Sequence, residues 1–100
     1  MTTYLLVLWH HDHDDEPVEL YSEQDDDGWE LRKVDVYRDG KMDYADATTE
    51  IGTTALGEVP IPPIEDIAAQ SEFSPRWISR EEFELRWHAA VARNSPEAPR

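Results

Sequence analysis

Residues 17–46 read PVELYSEQDDDGWELRKVDVYRDGKMDYAD, and their phasing decides the fold. Residues 17–23 alternate, with Val18 and Leu20 on one face and Glu19, Tyr21 and Glu23 on the other, the period-two signature of a strand. Asp27-Gly28 and Asp39-Gly40 punctuate the segment, each offering a glycine where a hairpin turn needs positive φ. Between the two turns, Trp29 and Leu31 share one parity whereas Val34 and Val36 share the other. One extra residue restores a single inward face, so the spacing predicts a β-bulge around Arg32-Lys33. A two-residue loop at Asp39-Gly40 sets Arg38 opposite Lys41, Tyr37 opposite Met42 and Asp35 opposite Tyr44.

On the N-terminal side, residues 3–11 are apolar at both parities through Trp9, which predicts a central strand covered on both faces. With the strands of residues 17–46 this makes a four-stranded antiparallel meander. On the C-terminal side, residues 47–59 are Thr- and Gly-rich and predict a long loop, with a short extra strand near Thr53 to Leu56. The prolines of residues 60–63 form a stiff approach to a two-turn helix over residues 64–70, with Pro63 in its first turn. Ser74-Pro75 opens a further turn that carries Trp77. Ser79-Arg80-Glu81-Glu82 is a capping box, and Ile78 and Phe83 occupy the positions of a hydrophobic staple around it. The helix it starts runs to about Ala92, with Phe83, Trp87, Ala90 and Val91 on one face and Leu85, Ala89 and Ala92 nearly opposite. The expected architecture is therefore α+β: an antiparallel meander with the C-terminal helix and the shorter helix packed on one face. Residues 1–93 form the domain and residues 94–100 a disordered tail.

The chain has 100 residues, 23 Asp plus Glu against 9 Lys plus Arg, a formal net charge of −14 and no cysteine. That length fits one domain. Disulfides, thiolate metal sites and Cys nucleophiles are excluded. The six-residue apolar run from Tyr4 to Trp9 is far short of the roughly 20 residues a membrane helix needs, and no Lys or Arg precedes it as in a signal peptide. These features point to a cytoplasmic protein. Free nucleic acid is a poor partner, because binding it depends on cations that neutralise phosphates.

Several strings resemble a known family: Trp9 with His11-Asp12, Asp15-Glu16-Pro17, Tyr21-Ser22-Glu23, Gly28-Trp29-Glu30, Arg32-Lys33-Val34, Tyr37-Arg38-Asp39-Gly40, Leu56-Gly57-Glu58-Val59-Pro60, and the segment from Phe73-Ser74-Pro75 through Ser79-Arg80-Glu81-Glu82-Phe83 to Trp87. Together, over about residues 4–90, they resemble small bacterial proteins grouped as a domain of unknown function. The resemblance implies a free-standing bacterial domain and carries over no catalytic residue.

The distribution of charge suggests more. No Lys or Arg occurs before Arg32, while Asp12, Asp14, Asp15, Glu16, Glu19, Glu23, Asp25, Asp26, Asp27 and Glu30 all do. A coherent negative surface of this kind steers a basic partner and mimics a phosphate backbone; the plainer alternative is a solvated, solubilising face. The expected function is a non-catalytic interaction module, immunity- or antitoxin-like or a nucleic-acid mimic. It would bind the basic surface of a toxin or nucleic-acid-binding protein through Asp12, Asp14, Asp15, Glu16, Asp25, Asp26, Asp27, Trp29 and Glu30. His10, His11, His13 and Asp14 offer an alternative metal site, possible also in a metal-dependent hydrolase, although a solvated acidic turn explains the same run. The sequence Asp25-Asp26-Asp27-Gly28 lacks the alternating ligands of a calcium loop. A third reading is a small-ligand domain with a pocket lined by some of Trp9, Trp29, Trp77 and Trp87; core packing accounts as readily for Trp9 and Trp87. No motif calls for a cofactor, no serine sits in a nucleophile elbow, and no Gly-rich phosphate loop is present.

Overall fold

The computed structural model describes residues 1–95. Its elements are β1 (Thr3–Trp9), β2 (Glu19–Gln24), β3 (Glu30–Val36), β4 (Met42–Ala45), α1 (Ile64–Ala68), β5 (Phe73–Ile78) and α2 (Arg80–Asn94). The strands form one sheet in the order β4-β3-β2-β1-β5, with every neighbouring pair antiparallel. The fold is α+β, as the sequence indicates, with five strands in place of four. The fifth is the Ser74-Pro75 segment expected as a turn. A proline inside a strand donates no ladder hydrogen bond and so belongs on an edge, which is where β5 lies.

Alternation along β1 sorts its side chains between two cores. Leu6 packs with Tyr21, Val34, Val36, Phe83 and Ala90 on the front of the sheet, under α2. Leu5 and Val7 pack with Ile67 of α1 on the back, with Leu20, Ile61, Ile64 and Phe73 around them. The two helices therefore cover opposite faces, which corrects their expected placement on one face. Topology supplies the reason. Because β4 and β5 are opposite edges of the sheet, the connection between them must cross its full width, about 19 Å at the usual strand spacing. It does so over the back and carries α1 with it.

The turns explain a second correction. Gly40 N–H bonds to Tyr37 O at 2.9 Å and Tyr37 N–H to Lys41 O at 2.8 Å, with Gly40 at φ 93°. That is a three-residue loop ending in a left-handed glycine, and the Asp27-Gly28 turn repeats it with Gly28 at φ 87°. The pairing is accordingly Val36 with Met42, Asp35 with Asp43 and Val34 with Tyr44, one residue from the expected register. A one-residue slip exchanges the faces of a strand, and this register puts Met42 and Tyr44 against the front core. The predicted bulge is present: Glu23 pairs with Arg32 and Gln24 with Glu30, leaving Leu31 as the extra residue.

Residues 53–56 form no strand; instead Ala45 makes an isolated bridge to Glu50. The α2 cap is as expected, with Ser79 Oγ accepting from Glu82 N–H at 3.1 Å, and Ile78 packs beside Phe83. Glu82 turns its own carboxylate to Arg76 at 3.4 Å. Asn94, placed in the expected tail, closes the helix and donates from Nδ2 to Met42 O at 2.6 Å; residues 96–100 of that tail lie outside the described residues. No helix among the described residues is long and apolar enough to cross a membrane.

Candidate functional site

The base-free N-terminal third does not fold into one negative surface. Asp12, Asp14, Asp15 and Glu16 lie in the β1–β2 connection, whereas Asp25, Asp26 and Asp27 lie in the β2–β3 turn. These are opposite ends of β2, separated by roughly 20 Å for a strand of this length. Between them the carboxylates of β2 and β3 are taken up internally. Glu23 holds the Arg32 guanidinium through two contacts of 2.7 and 2.8 Å, and Arg32 forks likewise to Glu84 of α2 at 3.0 and 2.8 Å. Arg32 also lies over the Phe83 and Trp87 rings, 4.9 Å from each centroid. These hydrogen bonds hold the Glu23 and Glu84 carboxyls below their usual range. Glu19 accepts from Tyr21 Oη at 2.8 Å and lies 4.0 Å from Arg86.

Glu30, expected as a surface contact, is buried on the back face. It accepts from Ser22 Oγ at 2.9 Å and from Gly57 N–H at 2.7 Å, with Lys33 Nζ at 3.9 Å. The bulge accounts for this: with Leu31 displaced, Glu30 and Lys33 share the back face while Arg32 reaches the front.

In the β1–β2 connection both ring nitrogens of His11 are occupied, Nε2 donating to Pro17 O at 2.8 Å and Nδ1 accepting from His13 N–H at 2.9 Å. His13 stacks on His11, and His10 Nε2 bonds Ser74 Oγ at 2.7 Å. Asp14 pairs with Arg38 at 3.2 Å, and Arg38 also donates to His11 O. Among the described residues no three His, Asp or Glu side chains converge on a point suited to a metal ion. Asp12, Asp15 and Glu16 are exposed.

The other acidic end has a different shape. Asp25 Oδ1 accepts from Asp27 N–H at 2.9 Å and Trp29 N–H at 3.0 Å, fixing the turn. Asp26 meets the Met1 ammonium, and Asp27 is exposed. The strap of residues 60–63 is tied to this turn by Ile61 N–H donating to Gly28 O at 2.8 Å. Between turn and strap runs a cleft of ≈ 390 Å³, lined by Asp25, Asp26, Asp27, Gln24, Pro62, Trp77 and their neighbours, with no Lys or Arg in its walls. Trp77 is 52% exposed and Trp29, on the adjoining turn, 43%. Gln24 is only 5% exposed, yet among the described residues its Nε2 makes no hydrogen bond. A buried amide N–H without a partner costs about 1–3 kcal/mol, so one beside a cleft marks a position where a guest acceptor is favoured. Gln24 is in phase with Leu20 and Ser22 but lies one residue past the alternation read from sequence, as the last residue of β2. Nothing in the sequence showed that this face would be covered.

A family model described as Domain of unknown function (DUF6881) matches residues 3–92. The chain belongs to that family. Comparison with curated proteins and with solved structures yields no match. In this member of the family, Trp87 packs on Tyr44 and Phe83 in the front core, and Trp9 packs on Phe73 and His11 at the sheet end. An apolar hollow on the back face has no Trp among the described residues of its lining. Its polar neighbours along the same face are Asp35 and Asp43, register partners that are 7% and 2% exposed. Asp35 accepts from Thr54 Oγ1 at 2.7 Å, while among the described residues its Oδ1 and the Oδ2 of Asp43 make no hydrogen bond, the latter lying 3.7 Å from Lys41 Nζ. Burial pushes the Asp35 carboxyl above its usual range, against the opposing pull of Lys33 and Thr54.

Proposed function

We propose that this domain is a non-catalytic interaction module that docks a basic protein segment in the cleft between the β2–β3 turn and the strap. The observation that carries the reading is the unpartnered Nε2 of buried Gln24 beside Asp25, Asp26, Asp27 and Trp77. An extended Lys- or Arg-bearing segment fits that chemistry. Its cation meets Asp27 and, in exchange for the Met1 ammonium, Asp26; its aliphatic stem or guanidinium plane lies on Trp77, and a backbone carbonyl accepts from Gln24 once that buried amide turns to the cleft. The negative end steers encounter, and the aromatic contact slows release. An immunity- or antitoxin-like role in a bacterial cytoplasm, or mimicry of a nucleic acid, is the biological form of this reading. The loop of Asp12, Asp14, Asp15 and Glu16 lies at the other end of β2 and serves as a separate steering charge.

The test is a fluorescence titration with Lys/Arg-rich decapeptides at low and high salt, using the wild type, Gln24→Leu, Trp77→Ala and the Asp26→Asn/Asp27→Asn pair. Saturable, salt-weakened binding that falls about tenfold in each variant supports the reading. Absence of binding at low salt, or binding indifferent to all three changes, refutes it.

A further inference from the structure

The back face holds a second hollow, of ≈ 250 Å³, separated from the docking cleft by Ile61 and Pro62. Leu5, Val7 and Leu20 form its floor, and Ile67 and Phe73 stand in its walls. Its polar lining residues are Ser22, Glu30 and Lys33 on the sheet and Gln70 just past α1. Glu30 is already engaged by the Ser22 hydroxyl and the Gly57 amide. Lys33 is different. Among the described residues its ammonium makes one ion pair, to Glu30 at 3.9 Å, which is beyond hydrogen-bond range.

These observations define a guest. A dry apolar cavity of about 150 Å³ takes a benzene ring, so this one takes roughly ten non-hydrogen atoms. Apolar walls select a hydrocarbon body, and the open Lys33 donors select an acceptor at one end. Charge decides what kind of acceptor. Glu30 balances Lys33, and Asp35 lies further along the same face within reach of both, so a carboxylate brings excess negative charge beside Glu30, and an amine sets a second cation against Lys33. We propose that the cavity binds a small aryl or alkyl molecule with a single uncharged acceptor head, such as a ketone, aldehyde or ester, held by Lys33. This site stands independently of the docking cleft.

Three probes of similar size separate the possibilities: 4-phenyl-2-butanone, 3-phenylpropanoate and 3-phenylpropylamine, titrated against the full chain by methyl-resolved NMR. The expected result is saturable, sub-millimolar binding of the ketone, with shifts at the Leu5, Val7 and Ile67 methyls and affinity at least about tenfold above the acid and the amine. Leu20→Phe fills the hollow and removes binding, while Lys33→Met keeps the stem and weakens the ketone about fivefold. Should Leu20→Phe not fold, Lys33→Met and the ketone-to-acid ratio decide the matter. Shifts elsewhere only, ketone affinity unchanged in Lys33→Met, or tighter binding of the acid or amine would each overturn the proposal.

Discussion

Replacing Arg32 with Met tests the central electrostatic claim about this fold. The thioether side chain keeps apolar contact with Phe83 and Trp87 but removes four charge-assisted hydrogen bonds, two to Glu23 and two to Glu84. The side chain of Glu23 is 12% exposed and that of Glu84 27%. Breaking a fully buried pair costs about 3–5 kcal/mol; with partial exposure on both sides the expected loss is about 2–3 kcal/mol. For a domain of this size that lowers Tm by roughly 10–20 °C and the urea midpoint by about 2 M. Tryptophan fluorescence follows the transition, since Trp87 lies against Arg32. The pH dependence gives a second readout. Because Arg32 lowers the Glu23 and Glu84 pKa values, its stabilisation is present above the ordinary carboxyl value of 4.5 and is lost as pH falls through the depressed folded values. Arg32→Met therefore flattens the acid limb, and adding Glu23→Gln to it restores much of the loss at neutral pH. A cost below about 0.5 kcal/mol at neutral pH, or an acid limb identical to wild type, refutes the reasoning.

Asp35 carries the opposite sign. Its folded pKa is raised by burial, so its contribution falls as pH rises from the unfolded value through the folded one. Asp35→Asn should remove that slope and gain on the order of 1 kcal/mol at pH 7 by denaturant unfolding; a less stable variant there counts against the burial argument. Gly52 sits at φ 66°, and a Cβ on it would lie 2.3 Å from Asp43 Oδ2. Gly52→Ala should thus cost at least about 2 kcal/mol, and a neutral effect in thermal melts would show that this loop yields. Ser79→Ala should cost about 1 kcal/mol in melts followed by helical circular dichroism; rescue by Ser79→Asp checks that the cap is responsible.

The meander and the last helix were legible because their signals are local. Alternation, two Asp-Gly turns, a parity change and a capping box each act within a few residues. What escaped was set by partners distant in sequence. Residues 73–78 carry alternation, but Pro75 speaks against a strand until β1 is known to leave only an edge free. The side of the sheet taken by α1 follows from strand order, which no local pattern encodes. Glu30 reads as a surface acid, and the burial of Gln24 and Asp35 has no local signal, because the connection that covers them is itself weakly patterned. It nevertheless supplies Gly57 N–H to Glu30 and Thr54 Oγ1 to Asp35. The charge asymmetry of the N-terminal third was real in sequence, yet folding back at each turn divided it between two ends.

Residues 60–63 form a partition with a hollow on either side, Ile61 and Pro62 belonging to both. Three of its four residues are prolines, and Ile61 is pinned to Gly28 by its amide. With so few free torsions its backbone is held in one path, so the same short stretch of chain sets one wall of each hollow.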